Sequence, residues 1–175
     1  ALERRVLAPI RERAHIVLDT SDLKPVELKA HLHAAVMGTP VHEMMVVDVF
    51  SFGFKYGAPI DADIVFDVRF LPNPFYVRDL RATTGMEPAC ATYVMDSPIA
   101  RSFMETFRDL ILSLIPYYGK EGKGRLTIGI GCTGGQHRSV AVAEELGRQL
   151  AQRGVRSQVR HREITERKLA VESGM

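Results

Sequence analysis

The sequence predicts an α/β domain of three layers with a largely parallel central sheet. Short runs of β-branched and aromatic residues alternate with longer amphipathic stretches, which is the pattern of strands joined by helices. Glycine, proline and polar residues separate the two kinds of segment. A chain of 175 residues is long enough for one domain with a substantial core, and 46% of its residues are apolar.

The predicted strands are short runs rich in valine, isoleucine and phenylalanine. They lie at residues 15–19, 44–50, 64–70, 125–130 and 156–162. Pro72 and Pro74 end the third of these strands, because proline cannot donate to a ladder of backbone hydrogen bonds. Residues 77–97 are predicted to be mostly loop, since threonine, proline and glycine interrupt them.

The predicted helices are marked by apolar residues at a spacing of three and four. In residues 1–14 this spacing predicts the end of a helix that enters from a preceding domain, and residues 15–175 are predicted to form a single α/β domain. The next helix carries Val26, Leu28 and Leu32 and begins after the capping residues at 20–22. Two longer helices are predicted at residues 98–117 and at about 137–153.

The composition excludes several classes of protein. The apolar content is too high for a disordered chain, and no apolar run approaches the roughly 18 residues of a membrane-spanning helix. A net charge of +2 does not by itself indicate a nucleic-acid-binding protein. Two cysteines cannot form a disulfide framework and no leader peptide is visible, so we expect a cytoplasmic protein without a membrane partner.

The loop at residues 131–139 is predicted to bind phosphate. It reads GCTGGQHRS and lies between an apolar strand and a helix, whose N-terminus favours anions. Its glycines let backbone N–H groups turn toward one point, Arg138 offers a planar fork of donors, and His137 is expected to donate as a cation. The loop is neither a Walker A loop nor a dinucleotide fingerprint. The predicted phosphate ligands are Thr133, Gly134, Gly135, Gln136, His137, Arg138 and Ser139.

The same loop allows a second interpretation. Cys132 and Arg138 have the spacing of cysteine-dependent phosphatases, in which a thiolate attacks a phosphate held by loop amides and arginine. That reaction needs a general acid, for which Asp67 and Asp96 are the candidates, although Asp67 could equally form an ion pair with Arg69. We favour binding without catalysis, because Cys132 ends an apolar strand where burial is the easier outcome.

Other predicted strand ends supply ligands for a sugar. The carboxyl ends of parallel strands meet at one edge of a sheet, and polar or glycine-rich segments follow four of the predicted strands. Asn73 is held between two prolines and is expected to bind a sugar hydroxyl. The segment Ser51-Phe52-Gly53 is expected to contact the same sugar. The six histidines are scattered along the chain, so we predict no metal site.

A basic cluster near the C-terminus is a candidate surface for RNA. Such a cluster can neutralise nucleic-acid phosphates, although an ordinary solvated face has the same composition. No aromatic residues alternate with the basic ones, so base stacking is not indicated. The cluster consists of Arg156, Arg160, Arg162, Arg167 and Lys168.

Several motifs together resemble the bacterial RapZ/YvcJ family. They are LAPIRERA at residues 7–14, DTS at 19–21, SFGFKYG at 51–57, DAD at 61–63, FDVRFLPNP at 66–74 and GCTGGQHRS at 131–139. The resemblance spans nearly the whole chain. Members of this family have two domains, of which the N-terminal one carries a Walker A loop and binds or hydrolyses ATP and GTP. This chain is similar to the C-terminal domain alone, so the resemblance implies no cofactor here.

The resemblance implies a regulatory domain rather than an enzyme. In the enterobacterial member the C-terminal domain senses glucosamine-6-phosphate and binds a small RNA, which it delivers to an endoribonuclease. The sugar-phosphate role is carried by Thr133, Gly134, His137 and Arg138, while Phe75 stands at a position that is often histidine in that member. A nucleotide sugar such as UDP-N-acetylglucosamine is the alternative ligand. Family members form oligomers, so a homo-oligomer is implied here too.

Overall fold

The computed structural model describes residues 2–21, 23–37 and 45–164 and contains five α-helices and four strands within them. The helices are α1 (Leu2–Arg13), α2 (Pro25–Met37), α3 (Pro88–Met95), α4 (Pro98–Lys120) and α5 (Arg138–Gln152). The strands are β1 (Val46–Gly53), β2 (Ile64–Asp67), β3 (Arg125–Cys132) and β4 (Ser157–His161). No helix in these parts of the chain combines the length and apolarity needed to cross a bilayer.

The four strands form one sheet in the order β2-β3-β1-β4, and every pairing is parallel. The central strands β1 and β3 pair along their whole length, from Val46 beside Arg125 to Gly53 beside Cys132. Both are almost entirely buried, as is typical of central strands in a parallel sheet. The predicted α/β class with a parallel central sheet is therefore confirmed.

The main core lies on one face of the sheet. Val47 and Val49 of β1 point to this face and pack in one apolar cluster with residues of α3, α4 and α5. The opposite face carries the segment 54–61, in which Pro59 lies over Gly129. The layers are thus the three helices, the sheet and this returning segment.

The predicted strand at residues 15–19 is wrong. Residues 14–20 have no regular structure, and the side chains of Ile16 and Val17 are about half exposed, at 49% and 52%. An apolar run becomes a strand only when a neighbouring strand accepts its hydrogen bonds, and the described sheet pairs β4, not this segment, with the edge of β1. The expected strand end at residues 20–22 is lost with it; Asp22 lies outside the described residues.

The prediction of loop at residues 77–97 is also wrong in part, because α3 lies within it. Pro88 occupies the first turn of α3, where the missing N–H costs nothing, and Cys90 and Val94 bury one helical face. The four other predicted strands correspond to β1–β4. However, β2 ends at Asp67, since the Leu71 N–H donates to the Val68 carbonyl and turns the chain before the prolines.

Candidate functional site

A pocket of about 370 Å³ opens at the carboxyl ends of β1, β2 and β3. Each of these strands is followed by a segment that contributes to its wall. Of the predicted ligand residues, Thr133, Gly134, Gln136, His137, Arg138 and Asn73 line it. The other lining residues are Lys55, Tyr56, Phe75, Tyr76 and Cys132. The segments that follow three parallel strands therefore meet at one site.

Backbone hydrogen bonds hold the 131–139 loop in place from two sides. The Lys55 N–H donates to the Thr133 carbonyl at 3.1 Å, which ties the loop to the end of β1. On the other side the Gly85 N–H donates to the Gln136 carbonyl at 2.9 Å. Gly135 has a φ of +68°, a backbone conformation that favours glycine. The loop thus reaches the start of α5 in a fixed shape, with the helix N-terminus facing the site.

Arg138 is buried at the base of the pocket. Its Nη1 donates to the carbonyls of Arg69, at 2.6 Å, and Leu71, at 3.3 Å, and its Nη2 donates to the Thr133 hydroxyl at 3.2 Å. A guanidinium group has five N–H donors, so the Nε–H and one Nη2 hydrogen have no partner among the described residues. Nε and Nη2 lie on one edge of the planar guanidinium, the edge that can bind two oxygens of a phosphate.

His137 is buried beside Arg138 and lines the same pocket. Its Nε2 lies 3.2 Å from the Arg81 carbonyl, which can only accept, so Nε2 carries a proton. Burial lowers the pKa of His137 and outweighs its hydrogen bonds to backbone carbonyls, while the charge of Arg138 lowers this pKa further. The lowered pKa makes His137 neutral near pH 7. The prediction of a cation concerns His137 beside a bound phosphate and stays a prediction.

The lowered pKa of His137 makes stability depend on pH. The unfolded chain takes up a proton at the ordinary histidine value of about 6.5, whereas the folded chain takes it up only at lower pH. The free energy of unfolding is therefore expected to fall as the pH is lowered below about 6.5. Thermal unfolding between pH 7.5 and 5.5 measures this slope. We expect His137→Gln to flatten it.

Cys132 lines the pocket although only 3% of its surface is exposed. Its Sγ lies 3.1 Å from the hydroxyl of Ser139, which is itself fully buried in the first turn of α5. Ser139 therefore contacts the thiol and does not line the pocket. Neither of the acids proposed for catalysis lines it: Asp67 binds Arg69 through two oxygens, and the Asp96 carbonyl accepts from Arg101.

The predicted sugar-binding segment at residues 51–53 lies behind the pocket. The Ser51 hydroxyl is buried and lies 2.9 Å from Nδ1 of His161, and Phe52 is fully buried against Phe54. Gly53 packs so closely on the loop that a Cβ there would lie 2.7 Å from the Gly134 carbonyl carbon. This segment contacts the loop and not the pocket. Asn73 does reach the pocket, with its Oδ1 accepting from the Phe75 N–H at 3.2 Å.

Sequence reasoning missed most of the aromatic wall of the pocket. Tyr56 and Tyr76 are 52% and 79% exposed, and Phe75 is half exposed with Arg81 stacked over its ring. Lys55 lies beside Tyr56. Lys55 and Tyr56 closely follow the 51–53 segment, and Phe75 and Tyr76 closely follow Asn73. Their closeness in sequence to these predicted ligand residues is the signal that could have identified them.

The basic cluster divides into exposed and internal arginines. Arg156 is exposed, and the side chain of Arg160 is 66% exposed at 3.6 Å from Asp48. Arg162 instead donates to the carbonyls of Gly53, at 3.1 Å, and Gly57, at 2.9 Å, so it stabilises the folded chain. Arg167 and Lys168 lie outside the described residues.

Comparison with known proteins places these features in a family. The family model of the RapZ C-terminal domain matches residues 45–165. Proteins called nucleotide-binding protein from Caldicellulosiruptor bescii and Limosilactobacillus reuteri are 49% and 48% identical over 93% and 95% of this chain. One of the same description from Bacillus cytotoxicus is 48% identical over 95%.

The chain spans only 56–57% of the length of these three relatives. The matched region nevertheless contains all four strands and every residue that lines the pocket. The chain therefore belongs to the RapZ C-terminal domain family.

Proposed function

We propose that this domain is a regulatory module that binds an amino-sugar phosphate or a nucleotide sugar and catalyses no reaction itself. The observation that carries the proposal is the pair of Arg138 donors without partners, which lie in a pocket at the N-terminus of α5. Thr133, Gly134 and Arg138 hold the phosphate. Asn73 offers its amide to a sugar hydroxyl.

The aromatic wall supports the larger of the two ligands. Tyr56, Phe75 and Tyr76 expose about half or more of their surface and all line the pocket. A phosphate needs only the loop, whereas a nucleobase gains about 1–3 kcal/mol when it stacks on an aromatic ring. UDP-N-acetylglucosamine would contact both the loop and the aromatic wall. Glucosamine-6-phosphate would contact only the loop and Asn73.

Calorimetric titration with the two ligands tests the proposal. If a base stacks on Tyr76, Tyr76→Ala weakens UDP-N-acetylglucosamine binding about tenfold, because the stacking energy is lost, and leaves glucosamine-6-phosphate binding unchanged. Tyr117→Ala is the matched control, since Tyr117 is also exposed but lies on α4 outside the pocket wall. The absence of heat with both ligands would contradict the proposed function.

We further propose that the whole protein is a cytoplasmic RNase adapter whose absent N-terminal domain binds ATP or GTP and whose chains form an oligomer. The exposed Arg156 and Arg160 support contacts with a small RNA. Gel-shift titrations of the full-length protein test this: the double alanine variant at these positions should bind RNA more weakly and with a smaller dependence on salt. Unchanged RNA affinity would contradict it.

One observation favours a second candidate function, that of a phosphatase. The Cys132 thiol contacts the Ser139 hydroxyl and borders the same pocket as Arg138. Turnover of an aryl phosphate that disappears in Cys132→Ser would establish catalysis. If the domain only binds, the wild type shows no turnover and Cys132→Ser retains its ligand affinity.

A further inference from the structure

Glu163 is a buried carboxylate directly behind the phosphate-binding loop. Only 4% of the residue is exposed. Its Oε1 accepts from the Gly53 N–H at 3.0 Å and from Arg162 Nε at 2.9 Å. Its Oε2 is buried and has no hydrogen-bond partner among the described residues. A buried carboxylate oxygen without a donor is costly, so its position calls for an explanation.

The unpaired oxygen of Glu163 lies against Gly135. A Cβ at Gly135 would overlap this oxygen and lie 2.6 Å from the carboxyl carbon and 2.7 Å from the Gly53 nitrogen. The end of β1, the turn of the loop and the carboxylate therefore meet at one closely packed point. A side chain at position 135 would collide with Glu163.

We propose that Glu163 is a positioning residue for the loop and that it controls phosphate affinity from outside the pocket. The proposal rests on the proposed function, because it concerns the same binding site. Glu163 does not line the pocket and acts through Gly53 and Gly135. By fixing Gly135, it fixes the direction of the loop amides and the start of α5.

The contact of Glu163 with the loop joins parts of the chain that are far apart in the sequence. Glu163 is separated from Gly53 by 110 positions, and Arg162 beside it also bonds the Gly53 and Gly57 carbonyls. Two consecutive residues after β4 thus form hydrogen bonds with the segment 53–57, which contacts the loop. The basic Arg167 and Lys168 follow shortly in the sequence. Displacement of the residues after β4 would release Gly135 and lower phosphate affinity.

Substitutions at Glu163 test the proposal by titration with glucosamine-6-phosphate and UDP-N-acetylglucosamine. Glu163→Ala and Glu163→Asp should weaken the tighter of the two about tenfold, because both withdraw the carboxylate from Gly135. Glu163→Gln keeps the shape and the acceptor for Gly53 and should stay within about twofold of wild type. Glu144→Ala is the control, since Glu144 accepts from His161 at 2.8 Å near the same strand end.

Amide resonances of the ligand-free protein provide the second measurement. The Ala and Asp variants should shift the signals of Gly53, Gly134 and Gly135, whereas the Gln variant and the control should not. If Glu163→Ala does not fold, the loop signals and ligand affinity of Glu163→Asp are compared with those of the wild type instead. Unshifted loop signals, or shifted signals with unchanged affinity, would overturn the proposal. If the wild type binds neither ligand, the proposed function fails and the resonances alone decide the positioning role.

Discussion

Replacement of Arg138 by alanine is expected to weaken ligand binding by at least about 30-fold. Removal of one partner from a buried, charged hydrogen-bonded pair costs about 2–5 kcal/mol, and each 1.4 kcal/mol is a factor of ten in affinity. The variant should also be less stable by about 1–3 kcal/mol, because the carbonyls of Arg69 and Leu71 lose their donor. Calorimetry and thermal unfolding measure the two effects separately.

Two further variants test whether the loss of affinity comes from the planar guanidinium group, from its charge or from the removal of any arginine on this helix. Arg138→Lys keeps the charge but has no planar fork, so we expect it to bind about tenfold more weakly than wild type. Arg148→Ala removes an exposed arginine of the same helix that pairs with Glu145 at the surface, and we expect no change in affinity. A folded Arg138→Ala variant with wild-type affinity would refute the phosphate site.

Gly85→Ala is expected to be the most damaging single-methyl change near the site. A Cβ at Gly85 would overlap the His137 carbonyl oxygen and lie 2.5 Å from the Ala141 nitrogen. Both atoms belong to the backbone where α5 begins, so no side-chain rotation relieves the clash. Overpacking of this kind costs about 3 kcal/mol, which lowers the melting temperature by about 6–12 °C in a domain of this size.

The damage at Gly85 should extend to ligand binding, because the clash displaces the start of α5 and with it His137. Gly124→Ala is the matched control: its Cβ would meet nothing within 4 Å. We expect this variant to melt at or slightly above the wild-type temperature, since alanine restricts the unfolded chain. Equal melting temperatures for Gly85→Ala and wild type would show that α5 can shift at no cost.

The sequence predicted those parts of the site that are contiguous in the chain. The 131–139 loop follows an apolar strand and opens an amphipathic helix, so its residues could be placed together without knowledge of the sheet. Asn73 was found in the same way, from its neighbouring prolines. The strand expected at residues 15–19 failed because apolar composition does not reveal whether a partner strand exists.

The remaining parts of the site depend on strand order, which residue patterns do not encode. Tyr56 meets the loop because β1 lies beside β3, and Tyr76 meets it because β2 lies on the other side of β3. Glu163 reaches Gly135 because β4 pairs with β1. In the sequence Glu163 counts only as an acid within a basic cluster, and no local pattern connects it with the loop.

The pocket is assembled from segments that are far apart in the chain, so a bound ligand would stabilise only the folded protein. The contact of Lys55 with Thr133 depends on the parallel pairing of β1 with β3, so the pocket is absent from the unfolded chain. A ligand that binds only the native state adds about 2.7 kcal/mol of stability when its concentration is a hundred times Kd. Such a gain lowers the population that proteases degrade, so a metabolite that fills the pocket would also raise the abundance of its own receptor.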